Sequence, residues 1–442
     1  MTAHAGPPSS LDLFRALVAR TEADGRPGPA ALIGDWCDAD AVIAPSIELV
    51  PGLLPPDRPD RFWLGHLGFP VHGDQGPLPE TAGGLTDGVL MLHDGRWSWV
   101  SPVGAALPDW VADLLHASAA APASSTEPTP PAEPSTPRTE PTPPAEPSTP
   151  RTEPIPSAEP VRSAATNRVE APPPPAWHAA WTAPERAPHL EAVASCREAI
   201  AAGEVYQACI CTRFTGELTG APHDYFADLA AATKPAKAAF LRGAYGAVAS
   251  LSPESFLSRR GTTVTSSPIK GTVPLDTDPL VLAESTKDVA ENVMIVDLVR
   301  NDLGRVATTG SVRVPELLTV VGAPGVWHLV STVSAELPDH VGNDALLAAA
   351  FPPASVTGTP KIRAAELIAQ WERFPRGVYC GAVGIAGPDG LLDLNVAIRT
   401  VQITPDGAMT LGVGGGITYD SDPAAEWQEC LDKAASIVSR TH

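Results

Sequence analysis

Apolar residues recur with a helical period over 189–202, where Leu190, Val193 and Ile200 mark the buried side. Directly afterwards the pattern alternates. Over 205–214, Val205, Gln207, Cys209 and Cys211 oppose Tyr206, Ala208, Ile210 and Thr212, which predicts a strand with Gln207 and two thiols on one face. Long helices are expected over about 282–303, 360–371 and 423–439, the last opening on Asp422-Pro423, a capping carboxylate followed by proline at the first helical position. Strands are expected mainly within 244–267, 308–336, 378–403 and 408–419. Strands in runs, without strict strand–helix alternation, predict an α+β architecture. The N-terminal residues read as β-rich, with short apolar runs at 41–44 and 88–92 among many Pro and Gly, and they carry no chemical motif.

The pattern fails between these two parts. A 13-residue unit at 126–138 recurs at 139–151, with a degenerate third copy at 152–162. It is rich in proline and lacks aromatic residues, so it cannot bury a core and is expected to be a disordered, partly polyproline-II spacer. The organisation expected is therefore a 1–117 β-rich region, a 118–175 Pro-rich disordered linker and a 176–442 domain that carries the chemistry.

Charge narrows the partners. A net charge of −21 argues against nucleic acid and against an anionic membrane surface, both of which demand a basic face. A small anionic substrate then requires a local island of cations or a metal. The six cysteines include no CxxC pair and no zinc spacing, which suits reduced thiols. With no signal-like start and no run of 18 apolar residues, the expectation is a soluble cytoplasmic protein.

Several short segments could carry chemistry. Pro268-Ile269-Lys270-Gly271-Thr272 follows a β-type run at 262–267, and its proline and glycine place Lys270 on an expected strand-end turn. Two helices carry acid pairs three residues apart, Asp288 with Glu291 and Glu426 with Glu429, the latter followed one turn on by Lys433. Each pair alone reads first as solvated helix surface. Together they offer hard oxygen ligands without His or Cys, which suits Mg²⁺. The small-residue segment from Thr357 to Lys361 leads into the helix expected from Ile362 to Gln370, either as an anion site or as a plain cap. Gly414, Gly415 and Gly416 follow an apolar strand, as an amide cradle or a simple turn. Arg399 in an apolar strand needs an anion, structural or bound. His328 and Glu254 read as a core histidine and a turn residue, or as site groups.

Taken in order and approximate spacing, the 268–272 segment, the Lys287 to Asn292 run with Arg300-Asn301-Asp302, the 357–361 segment, the 397–400 segment, and the glycines with Glu426 and Glu429 resemble the chorismate-utilising enzymes over essentially all of 185–440. The N-terminal part resembles the family only loosely, around 65–69. The resemblance implies a layered sandwich of two large, mainly antiparallel sheets flanked by helices. It implies Mg²⁺ held by Glu291 and Glu429 with Asp288 and Glu426 in support. Gly414, Gly415, Gly416 and Lys433 would bind the ring carboxylate of chorismate, and Tyr379 and Arg399 the enolpyruvyl carboxylate, with Thr357 nearby. Glu254 would be the acid, Lys270 the nucleophile, and Gly271, Thr272 and His328 would border the ring and its leaving hydroxyl.

Family members that add water carry a lysine base where this chain has Gln207, and an amide cannot serve as that base. Gln207 thus implies an amine nucleophile. Lysine at 270 marks the para-aminobenzoate branch, with anthranilate or a 2-amino product as the alternative. No cysteine lies in a Gly-x-Cys-x-Gly setting, so ammonia is expected from a separate glutamine amidotransferase subunit. The chain departs from the family pattern at Pro353-Ala354, Thr359 and Trp327.

Overall fold

Among the described residues two large antiparallel sheets, one of 11 strands and one of 10, carry the fold. The computed structural model describes residues 7–71, 76–120 and 176–441, so the expected linker lies, from 121 on, outside the described residues. The larger sheet runs in the order Gly358–Thr359, Gln207–Gly220, Ala408–Ile417, Thr400–Ile403, Gly246–Ser250, Lys237–Gly243, Ala30–Trp36, Ala39–Ala44, Val89–His93, Arg96–Val100, and Trp177–Thr182 pairs with the far half of Gln207–Gly220. In the smaller sheet, Val326–Glu336 is flanked on one side by Arg313–Ala323 and on the other by Thr263–Ser267 and Ile269–Pro274. The order continues through Ser255–Arg260, Leu391–Val396, Ala382–Gly387, Phe62–Leu67, Thr81–Thr86 and Val50–Pro51.

The N-terminal strands are full members of both sheets. Ala31 pairs with Phe240 in one, and Gly65 with Gly384 in the other. Residues read from sequence as separate regions form one compact unit. Leu32, Val42 and Leu241 of the larger sheet pack with Leu64, Val383 and Ile385 of the smaller, so one apolar core lies between the layers. Helices cover other faces. Ser10–Ala23 begins where Ser9 Oγ accepts from Asp12 N at 3.2 Å, and it buries Leu13, Phe14, Leu17 and Val18. Phe14 meets Phe226 and Phe240 edge-on at 5.8 and 5.4 Å.

Among the described residues the N-terminal region carries a run of strands between Ala30 and Val100 and, besides them, the helices Ser10–Ala23 and Asp109–Ala120. The structure corrects four local expectations. The expected 282–303 helix is two helices, Leu280–Glu284 and Thr286–Gly304. Between them Ser285 is extended and its hydroxyl accepts from Asp288 N at 3.2 Å, a local cap that outcompetes helix continuation. Lys270 lies in a strand and not on a turn. Pro268 lacks an N–H, but its carbonyl accepts from Ser331 N at 3.2 Å, so Thr263–Ser267 and Ile269–Pro274 both continue along Val326–Glu336. Gly414, Gly415 and Gly416 also sit inside a strand, opposite Cys211, Ile210 and Cys209. Arg399 lies between strands, with a left-handed backbone at φ +48°.

Among the described residues no helix is long and apolar enough to cross a membrane.

Candidate active site

Three glycines make the floor. A Cβ at Gly416 would stand 3.3 Å from Glu291 Oε2, 3.4 Å from Lys270 Nζ and 3.8 Å from Gln207 Oε1. A Cβ at Gly415 would stand 3.0 Å from Glu426 Oε2, 3.8 Å from Glu429 Oε1 and 3.9 Å from Lys433 Nζ. Two adjacent positions thus gather side chains from two helices and two strands onto one point of the larger sheet. Glycine is needed because any side chain would occupy the space where they converge.

Lys270 reaches this floor from the smaller sheet. Its Nζ lies 3.9 Å from Glu291 Oε2 and donates to the Ser355 carbonyl at 3.3 Å. The ladder slips between Lys270 and Thr272, where Gly271 takes φ +75°, and a Cβ on Gly271 would meet Asp288 Cγ at 3.0 Å. Beyond the slip, Thr272 Oγ1 and His328 Nδ1 are 2.9 Å apart. Burial, with a smaller contribution from the Arg399 charge, holds His328 down at about 4.

The carboxylates are only partly compensated. Lys287 Nζ lies 2.8 Å from Glu426 Oε1 and 3.9 Å from Glu291 Oε1, and Ser421 Oγ donates to Glu426 Oε1 at 2.6 Å. Two oxygens, Glu291 Oε1 and Glu426 Oε2, are buried without a hydrogen-bond partner. Burial pushes the Glu291 carboxyl above its usual range against the pull of Lys270 and Lys287. Glu429 differs. Its side chain is half-exposed; partial desolvation works against its charge, but Lys433, at 2.7 Å, with help from Lys287 and Lys270, holds the carboxyl low. Lys433 Nζ also donates to the Gly414 carbonyl at 2.7 Å. Among the described residues no three acidic, His or Cys groups close on one point as a ready metal cage. Two naked, buried carboxylate oxygens of the hard type nonetheless fit a cation that uses one or two protein carboxylates and completes its shell from water and substrate.

Glu254 is buried at the start of the Ser255–Arg260 strand. Burial raises its carboxyl, opposed by a hydrogen bond with the Ser355 side chain and by the Lys270 charge. Ser355 therefore touches both the amine and the acid, through its carbonyl and its side chain respectively. Sequence reading missed it, and only its place two residues before Thr357 could have drawn attention to it.

Two buried ion pairs hold the Ser355 turn in place. Arg376 donates to Glu372 at 2.8 and 2.6 Å, to Val356 O at 2.8 Å and to Cys209 O at 2.8 Å. Lys361 Nζ donates to Asp302 Oδ2 at 2.6 Å and to the Ala350 and Pro352 carbonyls at 2.9 Å, which spends all its donors on structure. The expected anion site at this helix start is thus occupied by a structural staple. Thr357 is fully buried and its hydroxyl donates to Pro353 O at 2.8 Å. Tyr379 is buried in the same core cluster as Cys209, Cys211 and Cys380, with its ring against Gly412. Arg399 lines a cavity of about 60 Å³ with His328, Pro253 and Val326, and no carboxylate among the described residues pairs with it. The structure thus brings Lys270, Gln207, Gly271, Asp288, Glu291, Gly414, Gly415, Gly416, Glu426, Glu429 and Lys433 together. Arg399 and His328 border an adjoining cavity, and Thr357 and Tyr379 are packed beneath.

A family model described as "chorismate binding enzyme" matches residues 142–439. A Klebsiella aerogenes protein named aminodeoxychorismate synthase component 1 is 46% identical over 243 residues, covering 53% of this chain and 54% of the relative. A Streptomyces coelicolor protein named anthranilate synthase component 1 is 42% identical over 271 residues, covering 59% and 52%. The chain spans about half the length of the curated relatives it matches. In architecture it is similar to the crystal structure of anthranilate synthase component I from Streptococcus pneumoniae TIGR4, with a TM-score of 0.65 at 22% identity over 93% of this chain and 90% of that one.

Proposed function

The chain belongs to the family of chorismate binding enzymes, and on that premise we propose that it converts chorismate and ammonia to 4-amino-4-deoxychorismate, as a synthase component I whose nucleophile is Lys270. The observation that carries this reading is the convergence of Lys270 Nζ, Gln207 Oε1 and Glu291 Oε2 over Gly416. The floor offers an amine where a covalent bond can form, and beside it an amide in place of a water-activating base.

In this mechanism Lys270 Nζ forms a bond to ring C2 while the C4–oxygen bond breaks and Glu254 gives its proton to the departing hydroxyl, releasing water. Burial, which keeps the Glu254 carboxyl protonated to higher pH, suits it to that task. Ammonia then bonds to C4, the C2–nitrogen bond breaks, Lys270 is restored, and the proton lost by the new amine returns to Glu254. Gln207 Oε1, buried without a partner, is placed to accept an N–H from the incoming ammonia. Lys433 and the glycine strand would hold the ring carboxylate. Arg399, lacking a protein anion, would take the enolpyruvyl carboxylate, Tyr379 and Thr357 would support the floor from beneath, and Thr272 and His328 would border the leaving hydroxyl. Glu291 and Glu429, supported by Asp288 and Glu426, would hold Mg²⁺, which when bound neutralises charge on the ring carboxylate.

Ammonia would come from a glutamine amidotransferase partner. Burial pushes the Cys37, Cys196 and Cys430 thiols up to about 12, far from a glutaminase nucleophile. We place the enzyme in the cytoplasm, where such thiols stay reduced. The second reading is anthranilate formation, favoured by the relative of that name at 42% identity.

The deciding experiment supplies the full chain with chorismate, Mg²⁺ and ammonium. The product is identified by mass spectrometry and by conversion with a lyase that releases para-aminobenzoate. 4-Amino-4-deoxychorismate is expected, and anthranilate or isochorismate as main product refutes the assignment. In parallel, Lys270→Ala is expected to abolish turnover; wild-type rates in that variant would refute the covalent role.

A further inference from the structure

Glu291 and Glu426 sit on different helices, Thr286–Gly304 and Pro423–Val438. Among the described residues one ammonium reaches both: that of Lys287, at 3.9 and 2.8 Å. We propose that Lys287 is a built-in stand-in for the divalent cation, holding the two carboxylates together when the metal is absent and giving way when it binds. The proposal rests on the reading of Glu291 and Glu426 as part of the metal site.

Three observations carry it. First, neither of the other two lysines at the floor bridges the pair: Lys433 is engaged by Glu429 and the Gly414 carbonyl, and Lys270 reaches Glu291 alone, at 3.9 Å, while donating to the Ser355 carbonyl. Second, the compensation Lys287 gives is incomplete. Its single charge faces two buried carboxylates, and it leaves Glu291 Oε1 and Glu426 Oε2 without hydrogen bonds. Third, Lys287 can leave. Its side chain is 46% exposed, while those of Glu291 and Glu426 are 7% and 3% exposed. Its carboxylate partners are fixed and buried, and its own four-carbon stem reaches water from the first turn of its helix. The arrangement keeps two helices in register before the metal arrives, and it lowers metal affinity by whatever the ion pair contributes.

The test is Mg²⁺ titration of the full chain by calorimetry without chorismate, together with thermal unfolding in EDTA. Lys287→Met keeps the stem and removes the ammonium. It is expected to bind Mg²⁺ about fivefold more tightly, the worth of a partly exposed ion pair, and to unfold at lower temperature in EDTA. Arg300→Met removes the same charge from the same helix without touching either carboxylate, and should leave the Mg²⁺ affinity unchanged. Unchanged or weaker affinity in Lys287→Met overturns the stand-in role and leaves the metal reading intact. Equal tightening in Arg300→Met also overturns it, by assigning the effect to bulk charge. Absence of Mg²⁺ binding in wild type and Lys287→Met alike, with chorismate present as well as without it, overturns the metal reading itself.

Discussion

Replacing Arg376 by methionine tests whether the site stands on a buried ion pair. Arg376 and Glu372 have fully buried side chains, and the Phe69 ring lies 4.3 Å from the guanidinium. The guanidinium bonds both Glu372 oxygens and the Val356 and Cys209 carbonyls, while Glu372 Oε1 also accepts from Cys211 N at 2.9 Å. Arg376→Met leaves the carboxylate buried with that one donor and strips a donor from each carbonyl. Breaking a buried pair by removing one partner costs about 3–5 kcal/mol. Glu372→Gln leaves the guanidinium uncompensated and belongs in the same range. The double variant removes both charges, so its loss should fall at least ~2 kcal/mol short of the sum of the singles. Urea unfolding followed by tryptophan fluorescence measures all three. Val356 follows Ser355, and Cys209 lies two residues from Gln207 on one strand face, so activity should fall in Arg376→Met even where the protein stays folded. Single variants that cost under about 1 kcal/mol, or a double variant that is simply additive, would refute the reasoning.

Two further outcomes are expected. Gly416→Ala places a methyl 3.3 Å from Glu291 Oε2 and 3.4 Å from Lys270 Nζ. It should lower kcat/KM at least roughly tenfold while moving the unfolding midpoint little; full activity would show that the floor is not where substrate sits. His66, wholly buried with Nδ1 unpartnered, is held by burial at about 4 against an ordinary 6.5. The unfolded chain therefore binds the proton first, and stability is lost as pH falls from 6.5 towards 4, by roughly 3 kcal/mol at the lower end. His66→Gln should flatten that slope in urea titrations at stepped pH, and an unchanged slope would show that His66 does not contribute it.

What the sequence made legible was mostly local. Asp422 and Pro423 announce a helix start, and Asp422 Oδ1 does accept from Ala425 N at 2.9 Å. The spacing of Glu426 and Glu429 placed both carboxylates on one usable face. Lys270 was recognised by its neighbours but misplaced, because Pro268 reads as a break and the compensating donor, Ser331 N–H, is 63 residues away in the chain. The glycines were read as a cradle or a turn for the same reason: the side chains that require them come from other elements. Ser355 carries no motif value of its own, since one of its contacts uses a backbone carbonyl that any residue possesses. The helix Ser10–Ala23 was a different kind of miss. Ser9 and the Leu13, Phe14, Leu17, Val18 stripe were present in the sequence but were overlooked among the Pro and Gly of that region.

The sharing of both sheets by residues on either side of the 121–175 stretch has a consequence for how the protein can be divided. The portion from 176 onward completes neither sheet by itself. Excised, it would bare Lys237–Gly243 in one sheet and Ala382–Gly387 in the other, two interior strands turned into sticky edges. A peptide bond cut within 121–175, by contrast, interrupts no ladder between described strands. The molecule is in effect a two-piece assembly delivered on one chain. Separately produced fragments 1–120 and 176–442 are natural candidates for complementation, each supplying the edge the other lacks.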